Sequence, residues 1–531
     1  MMHSLQKKNE ITYRQARSNN LLMTDTNRNM SCFDRLSTYL SRKFNEYRLP
    51  FLSSLIVGLL TYMYCFTNKF ETMDDLSCFF GTGSSLNLGR WGLKLSELVF
   101  PMCSVPWLNG VISLFFLCIA ICIIISIFNI HDKLLLVLLP AMLVSFSAQV
   151  CTFGYMYTAP QYACSLLLSV LSVKVITQKS DFKCFLKASF FLILATGIYQ
   201  AYVAEAASLL VVYCIYCLLQ KDSVKGVARK GLIYIGTLIF SMAAYLFINF
   251  ATNTILNVEM GDYATESLSG VSEYLFGVRV AYTAFLGFFT KRYYDLIPSR
   301  TSLIFHLIAV AAVAVLLVNH FSKKENRENG RLPLFLLCGL LLPLAVDCIR
   351  VISSLFHNLM LYSFTSLYVL TAVVLENCTL SLNDRAKNTA RDILAICMAV
   401  AAAINIYYAN SVFMKLLMQF EQANSFYTSV VTELRQDPEF DEDSVICIIG
   451  SNDILDSIPV DTSKLAGMRE GIVGTYSQAE FVRYYLGLNL NIAGWDITDD
   501  LELREDVMQM PPYPYYGSIQ KIDGYYVVRL G

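Results

Sequence analysis

Charged residues are scarce in this chain of 531 residues, and histidine is scarcer still. Lys, Arg, Asp and Glu make up only 16% of the sequence, whereas a soluble globular domain contains about a quarter. The five histidines, at positions 3, 131, 306, 320 and 357, are too few and too scattered to predict a His-rich metal centre. The formal net charge of −1 gives no basic surface for nucleic acid, so no nucleic-acid partner is expected.

Several familiar sequence signals are also missing. The chain has no G-x-x-x-x-G-K-[ST] loop and no convincing dinucleotide fingerprint, which argues against a nucleotide-binding site. The first 30 residues are polar and contain no apolar run, so no cleavable signal peptide is expected. Internal repeats, heptads and low-complexity blocks are not evident. The first apolar segment is therefore expected to act as an uncleaved membrane anchor.

Apolar residues, by contrast, are abundant: they form 55% of the chain, and the mean hydropathy is +0.48. A membrane-spanning helix needs about 20 mostly apolar residues. The pattern predicts an α-helical polytopic membrane protein with eleven spans. These are 50–67, 108–128, 134–149, 159–176, 188–203, 204–219, 232–254, 301–319, 333–349, 359–376 and 392–412. The third to sixth form close pairs, either of which could contain a broken or re-entrant helix.

The charges of the links predict which way the chain crosses the membrane. Cytoplasmic links carry an excess of Lys and Arg, and eleven spans with the N-terminus inside place every basic link inside. The basic links are 1–49, 174–187, 220–231, 320–332 and 377–391. The same arrangement leaves 68–107, 255–300 and 350–358 as outer links. The expected location is a cytoplasmic membrane, with the N-terminus inside and the tail outside.

Three parts are predicted: a partly disordered cytoplasmic segment 1–49, a transmembrane domain 50–412, and an outer tail 413–531. Residues 31–49 could form a short interfacial helix. The tail holds 19 acidic and 8 basic residues, whereas the rest holds 23 and 33. Strand-like runs at 444–450 and 525–530, with a helical pattern at 477–488, predict a small soluble α/β domain. Its expected role is to bind the acceptor or to cover the site.

The outer link 68–107 carries the most suggestive chemistry. Asp74 and Asp75 lie about seven residues beyond the first span, and Arg90, Trp91 and Lys94 follow on an apolar helical stretch. A carboxylate can accept the proton of an acceptor hydroxyl, while Arg and Lys can hold a phosphate. A lipid phosphate lies at this depth, so the combination favours sugar transfer from a polyprenyl-phosphate donor. The alternative is a solvated acidic turn with headgroup-anchoring cations.

The layout and several short motifs resemble a known family. The motifs are Met73-Asp74-Asp75, Leu88-Gly89-Arg90-Trp91, Tyr155-Met156-Tyr157 before Pro160, and Gly197-Ile198-Tyr199-Gln200. Over roughly 50–412 the chain is similar to membrane glycosyltransferases of the C-type fold, and more narrowly to the bacterial type II (Gtr-type) glucosyltransferases that decorate O-antigen. The resemblance implies undecaprenyl-phosphate glucose as donor, a cell-surface glycan as acceptor, and Asp74 or Asp75 at the reaction centre.

An inverting transfer then needs one base and cations for the leaving phosphate. Asp74 or Asp75 is the expected base. The expected phosphate ligands are Arg90 first and Lys94 second, with Arg279 and Arg350 from the other outer links. Arg350 is equally compatible with a plain ion pair to Asp347. Two adjacent carboxylates with a third acid could hold Mg²⁺ or Mn²⁺, although the sequence does not require a metal.

Further residues are candidates for a sugar and acceptor cavity. They are Trp91, Tyr155, Tyr157, Tyr199, Gln200 and Glu205. An aromatic belt at the membrane edge gives the same tyrosine pattern without function. Glu205 lies either in the bilayer, where it needs a partner or a water-filled cavity, or at an outer turn. Cys78 and Cys103 share one outer link and could pair in an oxidising compartment.

Other classes share this hydropathy. A flippase or transporter of lipid-linked sugars would be expected to show internal repeats and charges at mid-membrane. A lipid-linked glycan polymerase would not need an acidic pair directly after the first span. In a membrane scaffold the Asp pair would be incidental.

Overall fold

The computed structural model describes residues 31–80, 83, 85–99, 103–259, 271–290, 296–352, 356–379, 382–441, 443–450, 458–463, 465, 467, 468 and 471–530. Residues 1–30, predicted to be disordered, lie outside this set, as do parts of the predicted outer links. The chain divides into two units, Met1–Leu52 and Ser53–Gly531.

The helices before the tail follow the apolar pattern of the sequence. In chain order they are α1 Cys32–Thr67, α2 Met73–Ser77, α3 Trp91–Ser96, α4 Pro106–Phe128, α5 Leu135–Val144, α6 Ser147–Phe153, α7 Ala159–Gln178, α8 Phe182–Ile198, α9 Tyr202–Leu219, α10 Val224–Leu256, α11 Val271–Phe288, α12 Arg300–Ser322, α13 Lys324–Arg327, α14 Arg331–Val346, α15 Ile349–Ile352, α16 Ser366–Cys378 and α17 Asp384–Leu434. Short 3₁₀ segments at Glu328–Gly330 and Asn358–Thr365 precede α14 and α16.

Seven of the eleven predicted spans lie within a single helix. The other four cross an element boundary: 134–149 is divided between α5 and α6, 188–203 runs from α8 into α9, 333–349 passes the end of α14, and 359–376 begins in the 3₁₀ segment before α16. Nine helices of the described ranges are long and apolar enough to cross a membrane, and the pair α5–α6, bent by 48°, makes a tenth crossing if it is one span. This bend falls in one of the segments predicted to contain a broken helix. The helix α8, with 17 residues, occupies the remaining predicted segment. The protein is therefore a polytopic helical membrane protein, as predicted.

Two features depart from the simple hydropathy map. The predicted outer link 255–300 contains the 18-residue helix α11, which packs against α14 and α15. Gly277 allows this approach, because a Cβ at Gly277 would lie 2.8 Å from the carbonyl oxygen of Arg350. In the first unit, residues from Cys32 onward are helical, with a break in helical geometry at Tyr47 before Pro50. The segment predicted as an interfacial helix is thus helical.

The tail is a small α/β module, as predicted. Its elements are β1 Val445–Ile449, α18 Gln478–Phe481, a π-helical turn Val482–Leu486, β2 Asn491–Ile492, α19 Trp495–Glu502, α20 Glu505–Met508, β3 Ile519–Ile522 and β4 Tyr525–Arg529. The sheet order is β2-β1-β4-β3, with β1 parallel to β2 and β4, and β3 antiparallel to β4. The strands β1 and β4 are mostly buried, which explains their continuous apolar runs.

The helix α17 joins the membrane part to the tail without a break. It has 51 residues, and the predicted boundary at 412/413 falls inside it. Its final turns, including Ala423, Tyr427 and Val430, pack into the tail core with β1, β4 and the aromatic side chain of Phe481. The same core includes Leu76 of α2, so the tail packs directly on the segment that carries the acidic pair.

Candidate active site

The acidic pair is held by a short helix that begins at Thr72. The Thr72 hydroxyl accepts a hydrogen bond from the Asp75 N–H at 3.4 Å, which caps α2, and donates to the carbonyl oxygen of Gly154 at 2.8 Å. Asp75 Oδ1 accepts a hydrogen bond of 3.0 Å from the Tyr157 N–H. The motif Met73-Asp74-Asp75 is therefore fixed against the aromatic turn at 155–157, and two of the family-like motifs meet.

The two neighbouring aspartates lie in different environments. Asp75 is buried, with 2% of its surface exposed, whereas Asp74 is half-buried. Burial raises the pKa of Asp75 well above its usual value, the charge of Glu71 raises it further, and the N–H groups of Tyr157 and Met156 oppose both. Asp74 Oδ1 instead accepts a 2.5 Å hydrogen bond from the hydroxyl of Tyr476 in the tail. Asp74 is thus the more exposed member of the pair.

A third acid, Glu71, lies beside the pair. Its Oε2 accepts a hydrogen bond from Ser104 at 2.8 Å, and its Oε1 accepts a longer one from Tyr485 at 3.4 Å. Burial raises the pKa of Glu71 to about 7. Sequence reasoning missed Glu71, although its place three residues before Asp74 on the same outer link was the available signal. Among the residues that the structure describes, no group of three or more His, Cys, Asp and Glu side chains is arranged to hold a metal ion.

Arg90 lies against a pair of stacked tyrosines. Its Nη1 donates a hydrogen bond of 2.9 Å to the Tyr162 hydroxyl, and its Cζ lies 5.2 Å from the ring centroid of Tyr199. The Tyr162 and Tyr199 rings stack with centroids 4.3 Å apart. A guanidinium over an aromatic face is held in a fixed plane. Tyr162 was not among the residues predicted from the sequence.

Two glycine-containing motifs pack on each other and position Arg90. A Cβ on Gly197 would lie 2.5 Å from Cζ2 of Trp91, and a Cβ on Gly92 would lie 2.7 Å from the carbonyl carbon of Gly197. Only glycine permits this contact between α3 and the end of α8. The Gln200 side chain donates to the carbonyl oxygen of Leu88 at 2.9 Å and completes the junction.

The glycine before Arg90 is tied to a more distant helix. Gly89 has φ +72°, in the left-handed region, and its carbonyl accepts a 3.0 Å hydrogen bond from the Tyr245 hydroxyl of α10. Gln200 Nε2 also donates to that hydroxyl at 2.9 Å. The stretch 88–91 and the turn 197–200, chosen separately from the sequence, therefore form one structural unit.

His357 is affected by the charges of both Arg90 and Asp74. Burial lowers the pKa of His357 first, the charge of Arg90 lowers it further, and Asp74 acts in the opposite direction. The pKa of Tyr155 is raised by burial and then by the charge of Asp74. His357 follows the outer end of α15 in the chain, and sequence reasoning did not assign it a role.

The tail lies over the aromatic turn. Gly467 has φ +70°, and a Cβ there would lie 2.9 Å from Cζ of Tyr155. A Cβ on Gly154 would lie 2.0 Å from the methyl carbon of Met468. Together with the contacts of Tyr476 and Tyr485 to Asp74 and Glu71, these contacts make the tail part of the site.

The remaining predicted residues are arranged differently. Lys94 is half exposed and forms a 2.6 Å ion pair with Glu97, and Arg279 is exposed on α11. Arg350 forms a buried 2.7 Å ion pair with Asp347 and lies over the Phe356 ring. Among the described residues, neither carboxyl oxygen of the fully buried Glu205 has a hydrogen-bond partner. Cys78 and Cys103 are free thiols.

The fold and this cluster define a multi-pass membrane protein whose acidic outer link, arginine and tyrosines form one site with a soluble tail. A family model described as "Glucosyl transferase GtrII" matches residues 63–375, more than half of the chain. The protein belongs to this glucosyltransferase family, so it is a glycosyltransferase that acts on a sugar donor and a glycan acceptor. The match includes every predicted site residue from Asp74 to Arg350. No curated protein and no solved structure matched the chain.

Proposed function

We propose that the protein transfers a glucosyl residue from a polyprenyl-phosphate donor to a hydroxyl of a cell-surface glycan, with inversion at the anomeric carbon. The acceptor oxygen forms a bond to that carbon as the bond to the phosphate oxygen breaks. The acceptor proton passes to a carboxylate, and the polyprenyl phosphate leaves with the electron pair. The observation that carries this proposal is the hydrogen bond from the Tyr476 hydroxyl to Asp74, because an acceptor hydroxyl would present the same group to the same oxygen.

Asp74 is the proposed base, and Asp75 a positioning residue. A base must be ionised and within hydrogen-bond distance of the proton that it removes. Asp74 is half-buried and already accepts from a hydroxyl, whereas Asp75 is buried with a raised pKa and accepts from the Tyr157 N–H. Burial disfavours a charge on Asp75, and this limits like-charge repulsion beside Asp74.

Arg90 is the proposed ligand of the leaving phosphate. Its charge and that of Asp74 both act on the pKa of His357, and the stack of Tyr162 and Tyr199 fixes its plane. A fixed guanidinium stabilises developing negative charge without reorganisation during the reaction. Lys94, Arg279 and Arg350 are weaker proposals for the same role. Lys94 is half exposed and paired with Glu97, Arg279 is exposed, and Arg350 is paired with Asp347.

The sugar is proposed to bind among the aromatic side chains around Arg90. Trp91, Tyr155, Tyr157, Tyr199 and Gln200 surround the acid and the arginine through the contacts described above. Glu205 is proposed to face the same polar interior, since a buried carboxyl without a protein partner requires a sugar hydroxyl or water. The site is proposed to lie on the outer side of a bacterial cytoplasmic membrane, with the N-terminus inside and the tail outside.

The experiment uses the purified full chain in liposomes, with polyprenyl-phosphate [¹⁴C]glucose and a surface polysaccharide acceptor. Asp74→Asn is expected to lower kcat by roughly 10²–10⁴-fold, the usual contribution of a general base. Asp75→Asn, a neutral isostere of a protonated carboxyl, is expected to retain most of the activity. The matched control is Asp500→Asn, which alters an exposed acid of the tail.

Equal activity of Asp74→Asn and the control would overturn the assignment of the base. Movement of labelled lipid between leaflets without labelling of the polysaccharide would instead indicate a flippase and would overturn the proposed transfer.

A further inference from the structure

A crevice opens in the tail at the carboxyl end of β1. In the sheet, β1 lies between β2 and β4. The chain runs from β1 to β2 on one side of β1 and later forms β4 on the other side, so β1 marks a switch point of the parallel strands. In α/β sheets, ligands bind in the crevice beyond the strand ends at such a point. Here a cavity of about 130 Å³ is lined by Ile448, Ile449, Gly450, Gly474, Gln478, Trp495, Thr498, Asp499 and Glu502.

One face of α19 supplies the wall of this crevice. Trp495, Thr498, Asp499 and Glu502 recur at intervals of three and four residues and therefore share one side of the helix. The Trp495 side chain is 60% exposed, which leaves a large apolar ring in contact with water. Asp499 and Glu502 are exposed beside it. An aromatic face with adjacent carboxylates matches a sugar ring, which has apolar C–H faces and hydroxyl donors around its edge.

Two glycines and a fixed glutamine form part of the crevice lining. Gly450 has φ +96° and Gly474 has φ +77°, and a Cβ on Gly450 would lie 3.0 Å from the Leu530 carbonyl oxygen. Gln478 is fixed between them, because its Oε1 accepts from the Tyr427 hydroxyl at 3.1 Å and from the Gly474 N–H at 3.3 Å. The crevice is therefore already formed before any ligand binds.

A single turn of the chain, 474–478, connects the crevice with the proposed catalytic acid. Gly474 and Gln478 line the crevice, and Tyr476 between them donates its hydrogen bond to Asp74. The helix α18, which begins at Gln478, packs on α2, the helix of the acidic pair. A saccharide bound against Trp495 would thus lie next to the segment that contacts the base.

We infer that this crevice is a binding subsite for a neutral sugar unit of the acceptor glycan, remote from the unit that receives the glucose. Trp495 stacks on the ring, Asp499 and Glu502 accept hydrogen bonds from its hydroxyls, and the turn 474–478 directs the rest of the glycan towards Asp74. The inference rests on the proposed transfer to a glycan. It requires acceptors of several sugar units to bind better than the shortest acceptor.

The test uses the full chain in liposomes and two fractions of polysaccharide acceptor, one of a single repeat unit and one of several. Trp495→Ala is expected to raise KM for the long acceptor about tenfold, a size usual for loss of a central aromatic contact. The kcat values and the KM for the short acceptor should stay unchanged. Trp495→Phe, which keeps a ring, should give an intermediate KM, and Asp499→Asn with Glu502→Gln should repeat the effect of Trp495→Ala.

The matched control is Tyr516→Ala, which removes a fully exposed aromatic ring elsewhere in the tail. A second measurement does not depend on transfer: equilibrium dialysis of tritium-labelled long polysaccharide against the full chain in detergent. If the parent chain binds the polysaccharide and Trp495→Ala binds it about tenfold more weakly, the subsite is supported even when no glucose is transferred. In that case only the proposed function fails. Equal KM changes for both acceptors, or dialysis that does not distinguish Trp495→Ala from Tyr516→Ala, would overturn the subsite.

Discussion

The Tyr476 hydroxyl donates a 2.5 Å hydrogen bond to Asp74 Oδ1 across a separation of 402 positions in the sequence. This contact joins the soluble tail to the first outer link at the carboxylate proposed as the base. A carboxylate oxygen that already accepts from one hydroxyl must release it before it can accept from a second in the same direction. The tail therefore competes with the acceptor for Asp74.

Tyr476→Phe should remove that competition. Hydrogen bonds to charged groups contribute about 1.5–3 kcal/mol, and the half-exposed position of Tyr476 reduces this value. We expect KM for the acceptor to fall about three- to tenfold with kcat unchanged, measured by initial rates at saturating donor. A large fall in kcat would instead show that the Tyr476 hydroxyl takes part in the transfer step.

Arg90→Lys should show whether the site requires a fixed guanidinium or only a positive charge. Lysine cannot bridge Tyr162 and a phosphate oxygen in the plane that arginine provides. We expect kcat/KM for the donor to fall about 10- to 100-fold. Lys94→Ala is the control, because Lys94 lies half exposed in an ion pair with Glu97, and its kinetics should change less than threefold. Equal losses in the two variants would contradict the role given to Arg90.

Gly197→Ala should disturb the junction that positions Arg90. The added Cβ would lie 2.5 Å from the Trp91 ring, and overpacking of this kind costs about 1–3 kcal/mol. We expect a lower thermal unfolding midpoint in detergent and a higher KM for the donor. Gly236→Ala is the matched control, since no atom lies within 4 Å of a Cβ at that position of α10. A normal donor KM in Gly197→Ala would show that the junction does not control the site.

The stability of the protein should depend on pH through Glu71. Its pKa is raised by burial to about 7, from 4.5. A group whose pKa is higher in the folded state favours folding while it is protonated, so this contribution is lost as the pH rises from about 4.5 through about 7. The unfolding midpoint of the parent chain should therefore fall relative to Glu71→Gln between pH 5 and pH 8.

The control for this titration is Glu505→Gln, which alters an exposed acid of the tail. Its unfolding midpoint should follow that of the parent chain at every pH. Parallel curves for the parent chain and Glu71→Gln would show that Glu71 does not titrate in this range.

The sequence was a good guide to features that depend on local pattern. Apolar length predicted where most of the long helices lie, and the closely spaced fifth and sixth spans appear as α8 and α9. The helix α11 was missed because Glu273 and Arg279 interrupt its apolar pattern. The two strands β1 and β4 were recognisable because they are buried, β-branched runs.

The site was only partly predictable, for a physical reason. Asp74, Asp75 and Arg90 share one outer link, where carboxylates and a cation stand out against an apolar background. Tyr476 reaches Asp74 from a distant part of the chain, and nothing in its local sequence marks that destination. The different environments of Asp74 and Asp75 are likewise set by the turn 154–157 and by the tail. The roles of two neighbouring aspartates could therefore not be distinguished from the sequence.

The unbroken helix α17 has a mechanical consequence. Its 51 residues span about 75 Å at 1.5 Å per residue, whereas the hydrocarbon layer is about 30 Å thick. A rod of that length, rooted among the transmembrane helices and packed into the tail core at its far end, resists hinging. Motions that uncover Asp74 would then have to come from the short connections around Tyr476, because α17 holds the tail module at a fixed distance from the transmembrane helices.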